Sequence, residues 1–296
     1  MAIPAVNAHP WTERRRRAET LRARYPFAGE VLGFYAALLD VQERAYAAAQ
    51  ADAPDPGLVA AYAADRIVPL VAQATLGHGP EALVQAVSQR VRAGVDLSET
   101  VAAWLAGAEL PPVDRYLARA AAGPILEALG SRGGAACAGS RDERHCPVCG
   151  GSPQVSYFAR SADALVAGHR YLVCSRCAAS WPYPRMTCAA CGEDGSARLP
   201  LYAEEGTTAT ETSGHVVPGV AATRRGGPGN ATSGAGARFP HIRVEACETC
   251  SRYLLGIDLT RDVHAVPIVD EIAALPLDLY AQERGMAKIV PNLMGV

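Results

Sequence analysis

The first part of the chain, from about residue 12 to residue 130, repeats its apolar residues at helical spacing. Val31, Phe34, Tyr35, Leu38 and Leu39 fall on one face of such a helix, which is the pattern of an amphipathic helix that buries one side. The Ala- and Leu-rich segments that follow have the same character. The pattern predicts an α-helical domain over residues 1–140, with five or six helices.

Capping residues and glycines at the expected helix ends support this prediction. Asp96, followed by Glu99, has the form of a capping box at the start of one helix. Gly94 and Gly130 stand where helices are expected to stop. Trp104 lies within an apolar helix and is predicted to be part of the core.

The periodicity changes after the loop "GSRGGAACAGSRDER" at residues 130–144. Beyond it, residues 153–173 contain two short runs with alternating apolar residues, which predict two strands joined by a turn region. We place a domain boundary in this loop. Cys137 stands alone in it and is left out of the predicted site, because a lone loop cysteine is more often incidental than a ligand.

The last part of the chain has a polar stretch and then a further apolar repeat. Residues 204–238 are dominated by Gly, Thr, Ala and Ser and predict a flexible insertion. Pro267 is expected to open a final helix whose apolar positions continue to Tyr280 despite Pro276. The closing segment, residues 288–296, is expected to be loosely held.

Eight of the nine cysteines form four Cys-x-x-Cys pairs, here called knuckles. One such pair is compatible with a thioredoxin-like redox motif, but four without remainder predict two tetrahedral Cys₄ metal sites. Two intervening residues let one tight turn present both thiolates to one ion. The predicted ligands are Cys146, Cys149, Cys174, Cys177, Cys188, Cys191, Cys247 and Cys250.

The knuckles alternate in type, which favours one of the three ways of pairing them. The first and third are followed by Gly150 and Gly192, the second and fourth by Ala178 and Ser251. Each even knuckle also has an arginine four residues before it, Arg170 and Arg243, and an aromatic residue soon after it, Trp181 and Tyr253. We therefore pair the first knuckle with the second, and the third with the fourth.

The predicted fold class is α+β: an N-terminal α-helical domain, two tandem rubredoxin-like or zinc-ribbon modules and a C-terminal helix. The first module is placed at residues 141–187 and the second at 188–258, with the flexible insertion at about 204–238. A C-terminal helical segment follows at 259–296. Because a ribbon this small buries little apolar surface, a metal is expected to supply much of its folding free energy. Thiolate ligands suit both iron and zinc, and spacing does not choose between them.

Composition narrows the classes of function. A net charge of -2 with 20% charged residues is typical of a soluble globular protein, and the run Arg14–Arg17 is interpreted as a solvated helix face rather than a nucleic-acid contact. No apolar run is long enough for a membrane span. Nine cysteines without an export signal indicate reduced thiols and a cytoplasmic location. His145 and His169 adjoin the knuckles but are expected to be solvent-facing or structural rather than catalytic.

Several segments together resemble the FdhE family, the formate dehydrogenase accessory proteins. They are "RYPFAGEVLGFYAALLDVQ" (24–42), "CPVCG" (146–150), "RYLVCSRCAASWPYPRMTCAACGE" (170–193), "EACETCSRYL" (245–254) and "LPLDLYAQERG" (275–285). They span both major parts of the chain in family order. The segment around Trp181 and Arg185 is the most specific.

The resemblance implies a cytoplasmic, non-enzymatic protein that binds the immature catalytic subunit of a molybdenum- or tungsten-containing formate dehydrogenase and is required for its activity. It also implies rubredoxin-like sites, with iron as the expected metal. Two alternatives stay open: a rubredoxin-like iron protein for electron transfer or redox sensing, and a zinc-ribbon nucleic-acid-binding protein. Neither nucleic acid nor a membrane is the expected partner, and the sequence does not reveal the oligomeric state.

Overall fold

The computed structural model of the protein describes residues 10–160, 168–204, 220–221 and 237–295. Seven α-helices occupy its N-terminal region up to residue 129, two more lie near the C-terminus, and the described strands form a mixed sheet. The N-terminal helices are α1 (Pro10–Arg24), α2 (Gly29–Asp52), α3 (Val59–Arg66), α4 (Val68–His78), α5 (Glu81–Arg92), α6 (Leu97–Leu105) and α7 (Pro112–Leu129).

The prediction of five or six helices was therefore too low for this region. One apolar segment that the pattern leaves continuous divides at Ile67 into α3 and α4. Pro69 explains the division, because its ring lacks an N–H and excludes an ordinary helical turn before it. The predicted helix ends are confirmed: Asp96 caps α6 by accepting from the backbone N–H of Ser98 at 2.8 Å, and Gly130 ends α7 with a φ of 54°.

The strands after the helical region belong to one sheet. They are β1 (Pro153–Phe158), β2 (Arg170–Cys174), β3 (Ser180–Pro182), β4 (Leu201–Glu204), β5 (Val220–Ala221), β6 (Ile242–Cys247), β7 (Arg252–Asp258) and β8 (Ala287–Lys288). Their order is β3-β2-β1-β7-β6-β4-β5, and β8 pairs with β7. The two predicted strands of the first module, β1 and β2, form an antiparallel pair.

The centre of the sheet is a parallel pairing that the sequence pattern did not predict. Strands β1 and β7 run side by side, with Val155 opposite Leu255 and Phe158 opposite Asp258. The strands next to the first two knuckles and those next to the fourth are therefore joined in one sheet by the β1–β7 pairing. The domain boundaries placed at 141, 188 and 259 stay predictions, and the sheet crosses the one at 188.

Two clusters of buried side chains hold the helices onto this sheet. One contains residues of α2 to α7 together with the first two knuckles, and the other contains α1, α2, strands β4, β6 and β7 and the C-terminal helices. Helix α2 contributes to both, through Leu38 to the first and Leu39 to the second. The helical region is therefore part of the packing that supports both pairs of knuckles.

The C-terminal region differs from its prediction in two respects. A helix begins at Pro267 as expected, but it divides at Ala274 into α8 (Pro267–Ala273) and α9 (Leu275–Glu283), because Pro276 lies in the first turn of α9. The segment after residue 287 is not loosely held in its described part. Lys288 and Asn292 are buried, and the Pro291 carbonyl accepts from Arg119 Nη1 at 2.6 Å.

The run Arg14–Arg17 is only partly a solvated face, so that interpretation was wrong for two of its four residues. Arg14 and Arg17 are buried. Arg14 forms two hydrogen bonds with the Glu127 carboxylate, at 2.7 and 2.9 Å, and Arg17 donates from Nε to Asp270 at 2.9 Å. Arg14 and Arg17 are three residues apart and lie on the buried face of α1, where they contact acidic residues that are distant in sequence.

The predicted flexible insertion at 204–238 lies mostly outside the described residues. Within it, the backbone of Val220–Ala221 pairs with Ala203 and Glu204 of β4.

Candidate metal centres

The first and second knuckles bring four cysteine sulfurs together. Cys146 Sγ lies 3.6 Å from Cys177 Sγ, and Cys149 Sγ lies 3.3 Å from Cys174 Sγ. All four ligand atoms are within 4.8 Å of one another, and all four residues are buried. We call this group the first cluster.

The third and fourth knuckles form a second cluster of the same kind. Cys188 Sγ lies 3.8 Å from Cys250 Sγ, and Cys191 Sγ lies 3.7 Å from Cys247 Sγ. Here Cys191 is exposed and Cys250 is half-buried. The structure thus groups the sulfurs in the pairing that the alternation of knuckle types predicts.

Each knuckle is shaped by its own backbone. In the first, the N–H of Gly150 donates to the Cys146 carbonyl at 2.9 Å; in the third, the N–H of Gly192 donates to the Cys188 carbonyl at 3.0 Å. The backbone amides of Arg176 and Ala190 point at sulfur, 3.3 Å from Cys174 Sγ and 3.4 Å from Cys188 Sγ. Such bonds stabilise thiolate charge and fix the sulfur positions.

The residue after every knuckle adopts a left-handed backbone. Gly150 and Gly192 have φ values of 71° and 84°, and Ala178 and Ser251 have 56° and 54°. Only glycine takes this conformation without a steric cost. The even knuckles therefore hold an alanine and a serine in a strained conformation that the turn requires.

The sulfur positions fit a tetrahedral ion. Four sulfurs about 2.3 Å from a central metal lie roughly 3.8 Å from one another, close to the separations of 3.6–3.8 Å found for three of the four contacts. A disulfide needs an S–S distance of about 2.0 Å, and all nine cysteines are free thiols. The donor set of four thiolates suits zinc or iron.

Close packing perturbs the thiols strongly. The interaction with Cys137, and then those with the other three sulfurs of the first cluster, lower the pKa of Cys149 far below its usual range. Hydrogen bonding with Cys146 and the other sulfurs raises the pKa of Cys177. Four thiolates in contact repel one another, so they ionise together only when a cation sits between them.

The arginine and aromatic residues that repeat around the even knuckles hold the surrounding chain segments together. Arg170 donates to the Glu245 carboxylate at 2.6 Å, and the guanidinium of Arg243 lies 4.2 Å above the Phe158 ring. Trp181 donates from Nε1 to the Glu143 carbonyl at 3.0 Å. These contacts link β2, β6 and the loop before the first knuckle, and none of them uses a sulfur.

Cys137, which sequence reasoning left outside the site, lies against the first cluster. Its side chain is buried in the same core as Cys149, and its interaction with Cys149 raises the pKa of its thiol. The glycines of the loop allow this approach: a Cβ on Gly134 would lie 2.1 Å from the Val148 carbonyl oxygen, and one on Gly139 would lie 2.8 Å from the Gly150 carbonyl oxygen. That run of glycines was the sequence signal for close packing here.

The two histidines near the knuckles are not among the residues of either cysteine cluster. His145 contacts Asp142 through Nδ1 at 2.7 Å, and His169 is exposed. In a third group, possible ligand atoms of His241, Asp262 and Asp270 lie within 4.8 Å of one another, close enough for a metal site. There Arg17 supplies the positive charge, donating to Asp262 at 2.7 Å and to Asp270 at 2.9 Å.

Two family models match the chain. The model described as "FdhE, central domain" covers residues 145–185, and the one described as "FdhE, C-terminal domain" covers residues 230–294. Together they include the first, second and fourth knuckles, and the third lies between them.

Relatives and a solved structure agree with these models. A protein named "Protein FdhE homolog" from Aquifex aeolicus is 32% identical over 155 residues, which are 52% of this chain and 42% of that protein. One of the same name from Pseudomonas putida is 31% identical over 149 residues, 50% of this chain and 37% of that protein. The matched segment thus spans less than half the length of these relatives.

The crystal structure of the FdhE protein from Pseudomonas aeruginosa superposes with a TM-score of 0.59 at 23% identity. The alignment covers 96% of this chain and 94% of that one, so the two share a fold.

A helical region packed on a mixed sheet, with two four-cysteine clusters at knuckle turns, defines a class of proteins with paired rubredoxin-like or zinc-ribbon centres. Within that class, the chain is similar to the FdhE family over its central and C-terminal regions. Among the described residues, none of the helices combines the length and hydropathy that a membrane crossing requires.

Proposed function

We propose that the protein is an accessory factor for a formate dehydrogenase, which binds the immature catalytic subunit and is required for its activity. The observation that carries this proposal is the match of FdhE family models to both the central and the C-terminal region. The two clusters are expected to fix the shape of a docking surface rather than to react.

Each cluster is proposed to hold one metal ion, iron or zinc, through four thiolates. The ligands are the eight cysteines of the four knuckles, whose sulfurs lie at separations suited to a tetrahedral ion. A metal so bound neutralises charge that four contacting thiolates cannot otherwise carry. The free thiols also suit a reducing compartment, and we propose the cytoplasm.

The protein is proposed not to be an enzyme. A catalytic metal keeps an open coordination position for water or substrate, and here four cysteine sulfurs surround each candidate position. His145 contacts Asp142 through Nδ1 and His169 is exposed. The clusters therefore suit a structural or electron-carrying role.

A pull-down from the native cell tests the client. The tagged chain, expressed anaerobically, should retain the catalytic subunit of formate dehydrogenase, identified by mass spectrometry. A Cys149→Ser and Cys174→Ser double variant should lose the subunit if the first cluster shapes the docking surface, whereas Arg92→Gln, at an exposed position of α5, should retain it. Absence of the subunit from the wild-type eluate contradicts the proposal.

Electron transfer or redox sensing is the second candidate, favoured by the exposure of Cys191 in the second cluster. A sulfur ligand at the surface lets an electron reach a partner with little intervening protein. Metal analysis and absorption spectra of anaerobically purified protein decide between the two: a colourless protein with stoichiometric zinc excludes a redox iron centre.

Nucleic-acid binding is disfavoured by what the arginines near the knuckles contact. Arg144 donates to the Ala190 carbonyl, Arg176 to the Ala138 carbonyl and Arg185 to the Gly168 carbonyl, at 2.7–3.1 Å. Guanidinium groups committed to the fold do not offer a phosphate-binding stripe. We therefore expect no salt-dependent binding of DNA or RNA in a mobility-shift assay.

A further inference from the structure

A cleft lies between the helical region and the second knuckle. Its walls come from α1, α2, α7 and α8, from Gln154 of β1 and from residues 174–178, and its volume is about 70 Å³. A water occupies roughly 10–15 Å³ of such volume, so the cleft has room for about five waters or a small ligand. Neither the family models nor the proposed function assigns it a role.

Arg119 of α7 is the cationic group of this cleft. Its Nη1 donates to the Pro291 carbonyl at 2.6 Å, and its Nη2 donates to Gln154 Oε1. Both of these partners are neutral oxygens, and they use two of the five N–H donors of a guanidinium. Arg119 is half-buried, and a partly desolvated guanidinium without a carboxylate in contact is stabilised when an anion joins it.

The other two arginines of the cleft have partners of their own. Arg14 is neutralised by its two hydrogen bonds with Glu127. Arg176 also lines the cleft, but its guanidinium donates to the Ala138 carbonyl and lies 5.8 Å from the Trp104 ring. Among the described residues, Arg119 is therefore the arginine of the cleft that contacts neither a carboxylate nor an aromatic ring, and the anionic charges that act on it are those of Glu271 and of the Cys174 thiolate.

The acidic group that lies behind Gln154 is shared with another cation. Glu271 is reached through the Gln154 side chain, whose Nε2 donates to it, and it accepts from Lys288 Nζ at 2.7 Å. Glu271 is fully buried and does not line the cleft. It supports Gln154 from behind and leaves the open side of Arg119 to a ligand.

Neutral polar groups complete the walls. Gln42 and Ser175 line the cleft beside Arg119, and so does Trp11. The indole Nε1 of Trp11 is buried and has no hydrogen-bond partner among the described residues. Amide, hydroxyl and indole donors around one guanidinium are the surroundings in which a carboxylate is bound.

We propose that this cleft binds a carboxylate group, held by the guanidinium of Arg119 next to the second knuckle. The planar fork of an arginine matches the two oxygens of a carboxylate, and the volume suits a group of a few non-hydrogen atoms. Because Cys174 is part of the wall, the bound charge would lie beside the first cluster. The proposal does not depend on which client the protein serves.

A free carboxylate and one carried at the end of a peptide present the same chemistry, so the experiment has two arms. Acetate, and a capped dipeptide with a free C-terminal carboxylate, are titrated into the zinc-loaded full-length protein by calorimetry, with chloride and the amidated dipeptide as controls. We expect saturable binding in at least one arm. Arg119→Gln should weaken it at least tenfold, whereas Arg92→Gln makes the same charge change at an exposed site outside the cleft and should leave it unchanged.

A second measurement uses the wild-type chain, in case Arg119→Gln does not fold. The protein has three tryptophans, and with ¹⁵N-labelled indoles the Nε1 signal of Trp11 should shift on ligand addition while those of Trp104 and Trp181 stay in place. Trp11→Phe assigns the signal. No heat and no selective shift up to saturating concentrations, or binding that a folded Arg119→Gln variant retains in full, overturns the proposal.

Discussion

At the scale of single residues, the left-handed position after each knuckle is the sharpest requirement. All four positions have positive φ, yet glycine fills only two of them. The first is the most constrained, because a Cβ on Gly150 would lie 2.9 Å from backbone atoms of Gly139. Backbone conformation and close packing thus both demand glycine there.

Gly150→Ala should destabilise the zinc-loaded protein by at least about 2 kcal/mol, the cost of a left-handed alanine plus a backbone clash. Gly285 is the matched control, because its φ is 71° and a Cβ added to it would have no atom within 4 Å. Gly285→Ala should cost about 1 kcal/mol. Urea unfolding measures both; equal costs would show that the approach of Gly139 is unimportant.

The second prediction at this scale concerns the arginine run of α1. Arg17→Ala leaves Asp270, which is fully buried, without its guanidinium partner and should cost about 3 to 5 kcal/mol. Arg16→Ala changes an exposed neighbour in the same run and should stay within about 0.5 kcal/mol. Thermal and urea unfolding test the pair. Similar losses for both variants would contradict the inward orientation of Arg17.

At the scale of the elements, the two pairs of knuckles are alike in sequence but differ in exposure. The cysteines of the first cluster are at most 5% exposed, whereas Cys191 of the second is exposed. The first cluster is covered by α7 and the glycine-rich loop at 130–144, which share its core. In the second cluster, Cys188 and Cys191 come from the loop between β3 and β4, and Cys247 and Cys250 from the turn that joins β6 to β7.

Metal release should therefore occur in two phases. Under a coloured chelator in excess, the second cluster should lose its ion first, because its sulfurs can be reached without opening the core. Cys191→Ser should remove the fast phase, and Cys174→Ser the slow one. A single phase, or a fast phase that survives in Cys191→Ser, would contradict the difference in access.

At the scale of the whole molecule, a buried charged network ties the sheet to the C-terminal segment. Lys288 of β8 contacts Glu271 of α8 at 2.7 Å and Asp278 of α9 at 2.9 Å. Tyr253 of β7, which follows the fourth knuckle, donates to Asp278 at 2.9 Å. Gln154 of β1 donates to Glu271. The packing of these chain segments thus depends on two carboxylates sharing one ammonium.

This network predicts a pH dependence of stability. Burial raises the pKa of Glu271 above its ordinary value of 4.5, although Lys288 opposes the shift. Between the ordinary pKa of the unfolded chain and the raised pKa of the folded protein, Glu271 keeps its proton only in the folded state. The free energy of unfolding therefore falls as the pH rises through this range. Glu271→Gln, which is neutral at every pH, should flatten the slope.

Glu283→Gln is the control, since Glu283 is exposed on the neighbouring helix α9. Any loss of metal at low pH affects both variants alike, so the difference between their slopes isolates Glu271. Urea unfolding across the pH range measures it. Equal slopes for the two variants would show that Glu271 is ionised in both states over this range.

The sequence by itself determined what local spacing controls. Two residues between cysteines shape a knuckle, and the alternation of the following residue, Gly150 against Ala178, identified which knuckles combine. Helical periodicity likewise predicted the helical region and the capping by Asp96. These features depend on neighbours within a few positions, and such neighbours are visible in a sequence.

Only the tertiary structure decided what distant segments do to one another. The parallel pairing of β1 with β7, the inward turn of Arg14 and Arg17, and the position of Cys137 beside Cys149 all join residues that are far apart or follow a loop. Local sequence patterns do not predict which distant segment will pack against a helix face or a cysteine side chain. Burial, charge pairing and the cleft at Arg119 exist only once the helices and the sheet have packed together.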